Sequence, residues 1–179
     1  MKILAISGHA GHGKDTAADL IRQRLEQEGR HVLVVHFADL LKHICRSFFG
    51  WNGEKDPSGR ELLQYVGTDV IRASHPDFWV DFIISILELF HSTWDDVLIP
   101  DARFPNEIER LREEGFSVLH LRVLRPGYQS KLSPQQQKHA SETALDHAQP
   151  DYTLLNQGTM DTLQHSVGDF MEVYLHEKR

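Results

Sequence analysis

The chain has one cysteine, Cys45, so no intrachain disulfide can form and a buried thiol is the expected role. It also lacks an excess of positive charge: 19 Lys and Arg against 26 Asp and Glu leave a formal net charge of -7. A chain of that sign has no basic face for tracking phosphate backbones, so no nucleic-acid polymer is expected as a partner. Any anion site must gather its few cations locally. Long apolar runs are missing too. The stretch Met1–Ser7 is far too short for a signal peptide or a membrane span, which argues against a membrane partner. No internal repeat or low-complexity tract interrupts the chain. What is present, 179 residues with 40% hydrophobic and 25% charged side chains, suffices for one domain with a true core and is short for two.

Hydrophobic patterning alternates strands with helices. Strands are expected at Lys2–Ser7, His31–Phe37, Asp96–Pro100, Ser117–Val123 and Tyr152–Leu155. Helices are expected at Lys14–Glu28 (closed by Gly29 as a C′ residue), Asp39–Phe49, Arg60–Ser74, Asp77–Phe90, Asn106–Glu114 and Thr159–His176. Trp51–Gly59 reads as a polar turn region. Pro126–Gln137, rich in Pro, Gln and Ser, reads as a mobile surface segment. This alternation predicts an α/β three-layer sandwich around a mainly parallel five-stranded sheet. Ligands of such sheets bind at the carboxyl ends of the strands.

Between the first strand and first helix lies Gly8-His9-Ala10-Gly11-His12-Gly13-Lys14-Asp15-Thr16. Glycines there let backbone amides point at phosphate oxygens, and the helix N-terminus adds a favourable dipole. Lys14, read as a surface-loop charge, reaches the β- and γ-phosphates of a nucleotide. The spacing is that of a P-loop through Gly13-Lys14, so Gly11, His12, Gly13, Lys14, Asp15 and Thr16 are assigned to ATP. At the next position Asp15 replaces the usual Ser or Thr, which weakens direct hydroxyl ligation of Mg²⁺. Thr16 still offers a hydroxyl to a phosphate or the ion. His9 and His12 lack the converging third and fourth ligands that a zinc site needs, and are expected to face solvent or phosphate.

Val97–Pro100 is an apolar strand ending in Asp101, the form of a segment whose carboxylate holds water on Mg²⁺. Arg103 follows two residues on. Asp39, after the second strand, is expected to cap the helix starting at Leu40, to contact a phosphoryl acceptor, or both. Arg60 and Arg72 lie in the helical stretch after the polar turn. Arg122 and Arg125 bracket the end of the fourth strand, where two guanidinium groups suit charge stabilisation of a moving phosphoryl group.

Taken in order, Gly13–Thr16, Phe37-Ala38-Asp39, the run Gly59–Asp69, Arg72, Pro76–Val80, Ile99–Glu107, His139–Glu142 and Asn156-Gln157-Gly158 resemble the phage-type deoxynucleoside monophosphate kinases. The resemblance spreads over nearly the whole chain. It implies the nucleoside-monophosphate-kinase type of P-loop fold, and ATP- and Mg²⁺-dependent phosphorylation of a deoxynucleoside monophosphate to the diphosphate. It also implies that Asp15, Thr16, Arg122 and Glu142 lie near the reacting phosphates and acceptor.

These readings combine into one P-loop kinase domain over 1–179, with an acceptor-binding helical region at about 39–92 and a lid at about 126–137. Lys14, Asp15, Arg122 and Arg125 are the expected catalytic residues. Asp39, Arg60, Arg72, Arg103 and Glu142 form the acceptor side, Asn156 joins the ATP side, and Asp101 and Thr16 support the metal. Partners are small-molecule substrates, with a homodimer left open, and the expected location is the cytoplasm, a host's if the chain is viral. The P-loop alone fits another small-acceptor kinase equally well, for instance one acting on dephospho-coenzyme A or a phosphorylated metabolite. A non-catalytic nucleotide switch would need an Asn-Lys-x-Asp run or an Asp-x-x-Gly after the third strand, and neither is present.

Overall fold

The computed structural model describes residues 1–176. Five strands form one sheet: β1 (Lys2–Ser7), β2 (Val32–Val34), β3 (Asp96–Ile99), β4 (Ser117–Leu124) and β5 (Tyr152–Leu155). Their order is β2-β3-β1-β4-β5, and every pairing is parallel. Such a sheet needs helices on both faces, because the crossovers must lie there and both faces must be covered.

The period-2 alternation of β1 sorts its side chains onto the two faces. Leu4 and Ile6 join Leu98, Leu121 and Val123 beneath α1 (Lys14–Gln27). The closing helix of the chain, Met160–His176, covers the same face with Leu163, Val167, Phe170 and Tyr174, spaced for a single helical side. Ile3 and Ala5 turn the other way, joining Val97, Ile99, Trp79, Ile83 and Leu111. Gly29 ends α1 as expected: its amide donates to the Glu26 carbonyl at 3.0 Å and that of Arg30 to Leu25 at 3.1 Å, a Schellman closure. The far end of β3 is pinned by a buried carboxylate, Asp96, which accepts from the Tyr174 hydroxyl at 2.7 Å and from Arg30.

Two elements differ most from the sequence reading, and two one-turn helices after β4 are additional to it. The second strand, an edge strand paired with β3, stops at Val34; the Val35 amide still donates to the Leu98 carbonyl at 3.0 Å, and the chain then leaves the sheet to open α2 (Ala38–Phe49). The single helix expected from Arg60 starts at Pro57 as α3 (Pro57–Gln64), capped by the Asp56 carboxylate on the Gly59 amide at 2.7 Å. From Tyr65 to Arg72 it then widens into a π-helical stretch. There the side chain of Leu41 packs directly on Gly67, and the Gly67 carbonyl accepts from the Trp79 indole at 3.0 Å. A widened ladder of this kind recurs at functional sites.

Beyond it lie α4 (Phe78–Leu89), α5 (Pro105–Glu113) and two one-turn helices, α6 (Pro134–Gln137) and α7 (Ala140–Thr143). The last helix, Met160–His176, is α8. Among the described residues no helix is long and apolar enough to cross a membrane.

Candidate active site

At the carboxyl end of β1 the chain forms the glycine loop and enters α1 through Gly13. Gly13 has φ 94°, and a Cβ there would lie 2.7 Å from Asn156 Nδ2. Asn156 is buried after β5; its amide donates to the His12 carbonyl at 3.0 Å and accepts from the Gly158 amide at 3.0 Å. It therefore props the loop from behind. Lys14 departs from the sequence reading: it is not a surface charge but 8% exposed, with Nζ donating to the carbonyls of Gly8 at 2.7 Å and His9 at 3.1 Å. Desolvation pulls its pKa down to about 8. His12 Nδ1 faces the Val123 carbonyl at 3.3 Å, and His9 Nε2 lies 3.1 Å from Asp146.

Asp101 ends β3 as expected but grips the start of α2. Its Oδ1 accepts the Phe37 amide and its Oδ2 the Ala38 amide, both at 3.0 Å. Asp39, expected to cap that helix at Leu40, sits inside its first turn, where it accepts the His36 amide at 3.1 Å and pairs with Lys42 at 2.9 Å. His36 stands between carboxylates of both sides, 3.6 Å from Asp15 and 3.4 Å from Asp39. The facing Asp15 carboxylate raises the His36 pKa, and the same contact holds the Asp15 carboxyl below its usual range.

Lys14 and Asp15 open onto a cleft of about 480 Å³, a size suited to a small-molecule ligand. Arg60, Arg72 and Arg103, with Lys42 and Lys55, supply its positive charge, and Phe37, Leu41, Leu63 and Trp79 its apolar wall. Arg103 donates to Glu142 Oε1 at 2.6 Å and to the Ser141 carbonyl at 3.1 Å. Glu142 Oε2 in turn accepts the Ala10 amide of the glycine loop at 3.0 Å. One carboxylate thus ties the loop to the cleft's arginine. Arg72 lies 3.9 Å over the Phe104 ring and is fixed by Pro76, Asn106 and the buried carboxylate of Glu107.

The two arginines at the end of β4 part company. Arg122 does not face the main cleft. It donates to the carbonyls of Leu145 and Asp146 and lines a smaller cavity of about 190 Å³, with Ser7, Gly8 and Asp146. Those carbonyls close the segment after α7, where that of Leu145 also accepts the Ala148 amide at 3.1 Å. Arg125 stays by the glycine loop, 3.4 Å from the Gly11 carbonyl and 3.5 Å from that of Gly158, with its guanidinium 4.9 Å over the Tyr128 ring. Tyr128 lies against Gly11; a Cβ there would meet its hydroxyl at 2.4 Å. Farther along, Leu132 lines the main cleft and Gln136 Nε2 reaches the Pro57 carbonyl at 3.4 Å. Residues 126–137 therefore bridge from the glycine loop to α3.

A divalent cation in such a site is ordinarily held by one or two carboxylates, substrate phosphates and water. The residues fit that demand and no stronger one. Among the described residues no group of three His, Cys, Asp or Glu side chains converges. Asp101 spends one lone pair of each oxygen on an amide, leaving the others for water, and the exposed Asp15 carboxylate lines the same cleft.

Sequence reasoning missed His36, which falls in the expected strand His31–Phe37 that in fact ends at Val34, and Lys42 and Lys55, which no motif in the sequence marks. Glu107 left a usable signal: a Pro-Asn-Glu opening of an amphipathic helix places a carboxylate on the first amides.

A parallel sheet whose central strand feeds a glycine loop, a buried lysine and a cationic cleft defines a P-loop phosphotransferase. Across residues 35–167 the chain matches the family model described as deoxynucleotide monophosphate kinase. It belongs to that family. It is 35% identical over 169 residues to an uncharacterized protein, ORF77, of Ictalurid herpesvirus 1 (strain Auburn), covering 94% of this chain and 69% of that protein. It is 31% identical over 124 residues to the deoxynucleotide monophosphate kinase of Enterobacteria phage T4, covering 68% of this chain and 48% of the phage protein, about half its length. Among solved structures, the one described as the crystal structure of APE1195 matches with a TM-score of 0.51 and 15% identity, over 98% of this chain and 96% of that one, a likeness of fold alone.

Proposed function

We propose that the enzyme transfers the γ-phosphoryl group of ATP to the 5′-phosphate of a deoxynucleoside monophosphate. An acceptor phosphate oxygen forms the new bond to phosphorus, the bond to the β–γ bridging oxygen breaks, and ADP leaves. The observation that carries this reading is the continuity of one cleft from Lys14 and Asp15 to Arg60, Arg72 and Arg103. Donor and acceptor phosphates can then meet inside a single space, and positioning with charge neutralisation is most of what phosphoryl transfer requires.

On the donor side, the amides of Gly11–Gly13 and the start of α1 bind phosphate oxygens, with Lys14 beneath them. Arg125 and Asn156 border the nucleoside end of that loop. Thr16 and Asp15 stand at the first turn of α1, and Asp101 together with Asp15 would hold water on Mg²⁺, which supplies charge neutralisation between the phosphates when bound. On the acceptor side, Arg60, Arg72 and Arg103 face the incoming phosphate, Glu142 keeps Arg103 in place, and Asp39 flanks the entrance with Lys42. The wall of Phe37, Leu41 and Trp79 offers apolar and aromatic surface to a nucleoside. Residues 126–137 act as a lid that excludes water from the transfer. Arg122 supports the segment carrying Glu142 rather than touching the phosphates.

The deciding experiment is a coupled ADP-release assay across the deoxy- and ribonucleoside monophosphates, with dephospho-coenzyme A as a control acceptor. Turnover confined to the nucleotides supports the reading. Turnover with dephospho-coenzyme A alone would replace it by the other small-acceptor kinase.

A further inference from the structure

Glu107 is 2% exposed, yet it carries a carboxylate into the wall of the cleft. All its hydrogen-bonding capacity is directed at the acceptor side. Oε1 accepts from Arg72 Nη2. Oε2 accepts the amide of Arg103 at 2.6 Å and that of Phe104 at 3.0 Å. The Phe104 ring is the surface on which the Arg72 guanidinium lies, at 3.9 Å. One side chain therefore fixes three things at once: the fork of Arg72, the plate beneath it, and the backbone from which Arg103 projects.

Such a group is not there for stability. Burial pushes the Glu107 carboxyl up to about 7 despite Arg72 and the two amides, with the Asp101 charge adding to the upward shift. A buried ion pair is commonly no more stable than a well-packed apolar replacement, and its best-attested use is to fix one arrangement. Arg72 shows what is being fixed. Its Nη1 is bonded to Pro76 and Asn106 and its Nη2 to Glu107, which leaves the second Nη2 hydrogen to donate. A phosphate oxygen is the strongest acceptor the proposed substrate brings.

We infer that Glu107 is the positioning residue of the acceptor site: it holds Arg72 and the Arg103–Phe104 backbone in the one arrangement that receives the acceptor's phosphate. The inference rests on the kinase reading given above. Glu107 touches no substrate itself, and its effect passes through Arg72 and the Arg103–Phe104 backbone.

The test combines steady-state kinetics with a double-mutant cycle. Wild type is first assayed with deoxynucleoside monophosphates; absence of turnover with all of them removes the kinase reading and this inference with it. With turnover established, Glu107→Gln is expected to raise the acceptor KM on the order of tenfold, because an amide cannot accept from Arg72 and from both backbone N–H groups. The KM for ATP should stay within about twofold. Glu107→Asp, which keeps the charge on a shorter stem, should fall between the two, and it carries the test if Glu107→Gln does not fold. In an Arg72→Ala background either substitution should raise the acceptor KM by a smaller factor than it does alone, since part of its effect passes through Arg72 and the rest through the Arg103–Phe104 backbone. A folded variant with the wild-type acceptor KM, equal losses in acceptor and ATP, or full additivity with Arg72→Ala would each overturn the inference while leaving the kinase reading intact.

Discussion

Asp101 and Phe37 are joined across 64 residues of chain by a hydrogen bond of 3.0 Å from the Phe37 amide to Asp101 Oδ1. With the matching bond from Ala38, the turn after β3 and the start of α2 on the wall of the main cleft share one carboxylate. Asp101→Asn replaces one acceptor oxygen by an amide NH2 group that faces a backbone N–H. The expected result is a loss of about 1–3 kcal/mol in stability, read by urea unfolding, together with a raised acceptor KM. A variant as stable as wild type would show that the two amides find other partners.

Lys14 should matter to chemistry without supporting the fold. Lys14→Met is expected to lower kcat/KM by about 10²–10³-fold, as loss of a preorganised charge does. It should unfold no earlier than wild type, because desolvation already pulls the ammonium from 10.5 to about 8. A lowered amine pKa in the folded protein means that stability falls as pH drops from 10.5 through 8, so at neutral pH the buried charge is unfavourable. Binding of phosphates reverses that shift. ATP affinity should therefore be highest below pH 8 and decline above it. Calorimetry at pH 8.5 in two buffers of different ionisation enthalpy should detect proton uptake, and its absence would mean Lys14 does not meet the phosphates.

Beneath the loop, the buried His120 faces the Ser7 hydroxyl at 2.7 Å, and burial lowers its pKa to about 4. The unfolded chain takes up this proton near 6.5 and the folded one only near 4. Stability from this group is therefore complete above 6.5 and lost as pH falls through the window to 4, on the order of 3 kcal/mol in total. Urea unfolding of wild type and His120→Gln from pH 7 to 4 should show the wild type losing more. Parallel curves would remove His120 from the acid response.

The segment 126–137 is predicted to behave as a closing lid. Arg125→Ala should lower transfer by about 10³-fold, with a much smaller effect on acceptor KM. Limited proteolysis within 126–137 should slow when both substrates are present, as closure over Gly11 and α3 shields the backbone. Wild-type turnover with unchanged cleavage would make the segment an ordinary loop.

How much of this was legible beforehand follows from how local each signal is. Strand β1 and helix α1 declare themselves through alternation and through Ala17, Ala18, Ile21 and Leu25 on one side of a helix, all within reach of a short window. The glycine loop is equally local. The π-helical stretch was not legible, because its register answers to Leu41 and Trp79, residues from other helices. Asp101 read correctly as a strand-end carboxylate, but its amide partners lie 64 and 63 residues away. Arg122 and Arg125 look alike in sequence. The carbonyls after α7 hold Arg122 and that of Gly11 holds Arg125, and both are tertiary facts.

The bond from the Trp79 indole to the Gly67 carbonyl equips the enzyme with its own optical probe. Trp79 borders the acceptor cleft, whereas Trp51 lies beneath Arg46 and Trp94 beside Phe90. Fluorescence from this one indole reports on the widened turn at Gly67 and on whatever fills the cleft. Replacing the other two tryptophans by phenylalanine would leave a single emitter, so occupancy of the acceptor side can be followed in real time, without a labelled nucleotide.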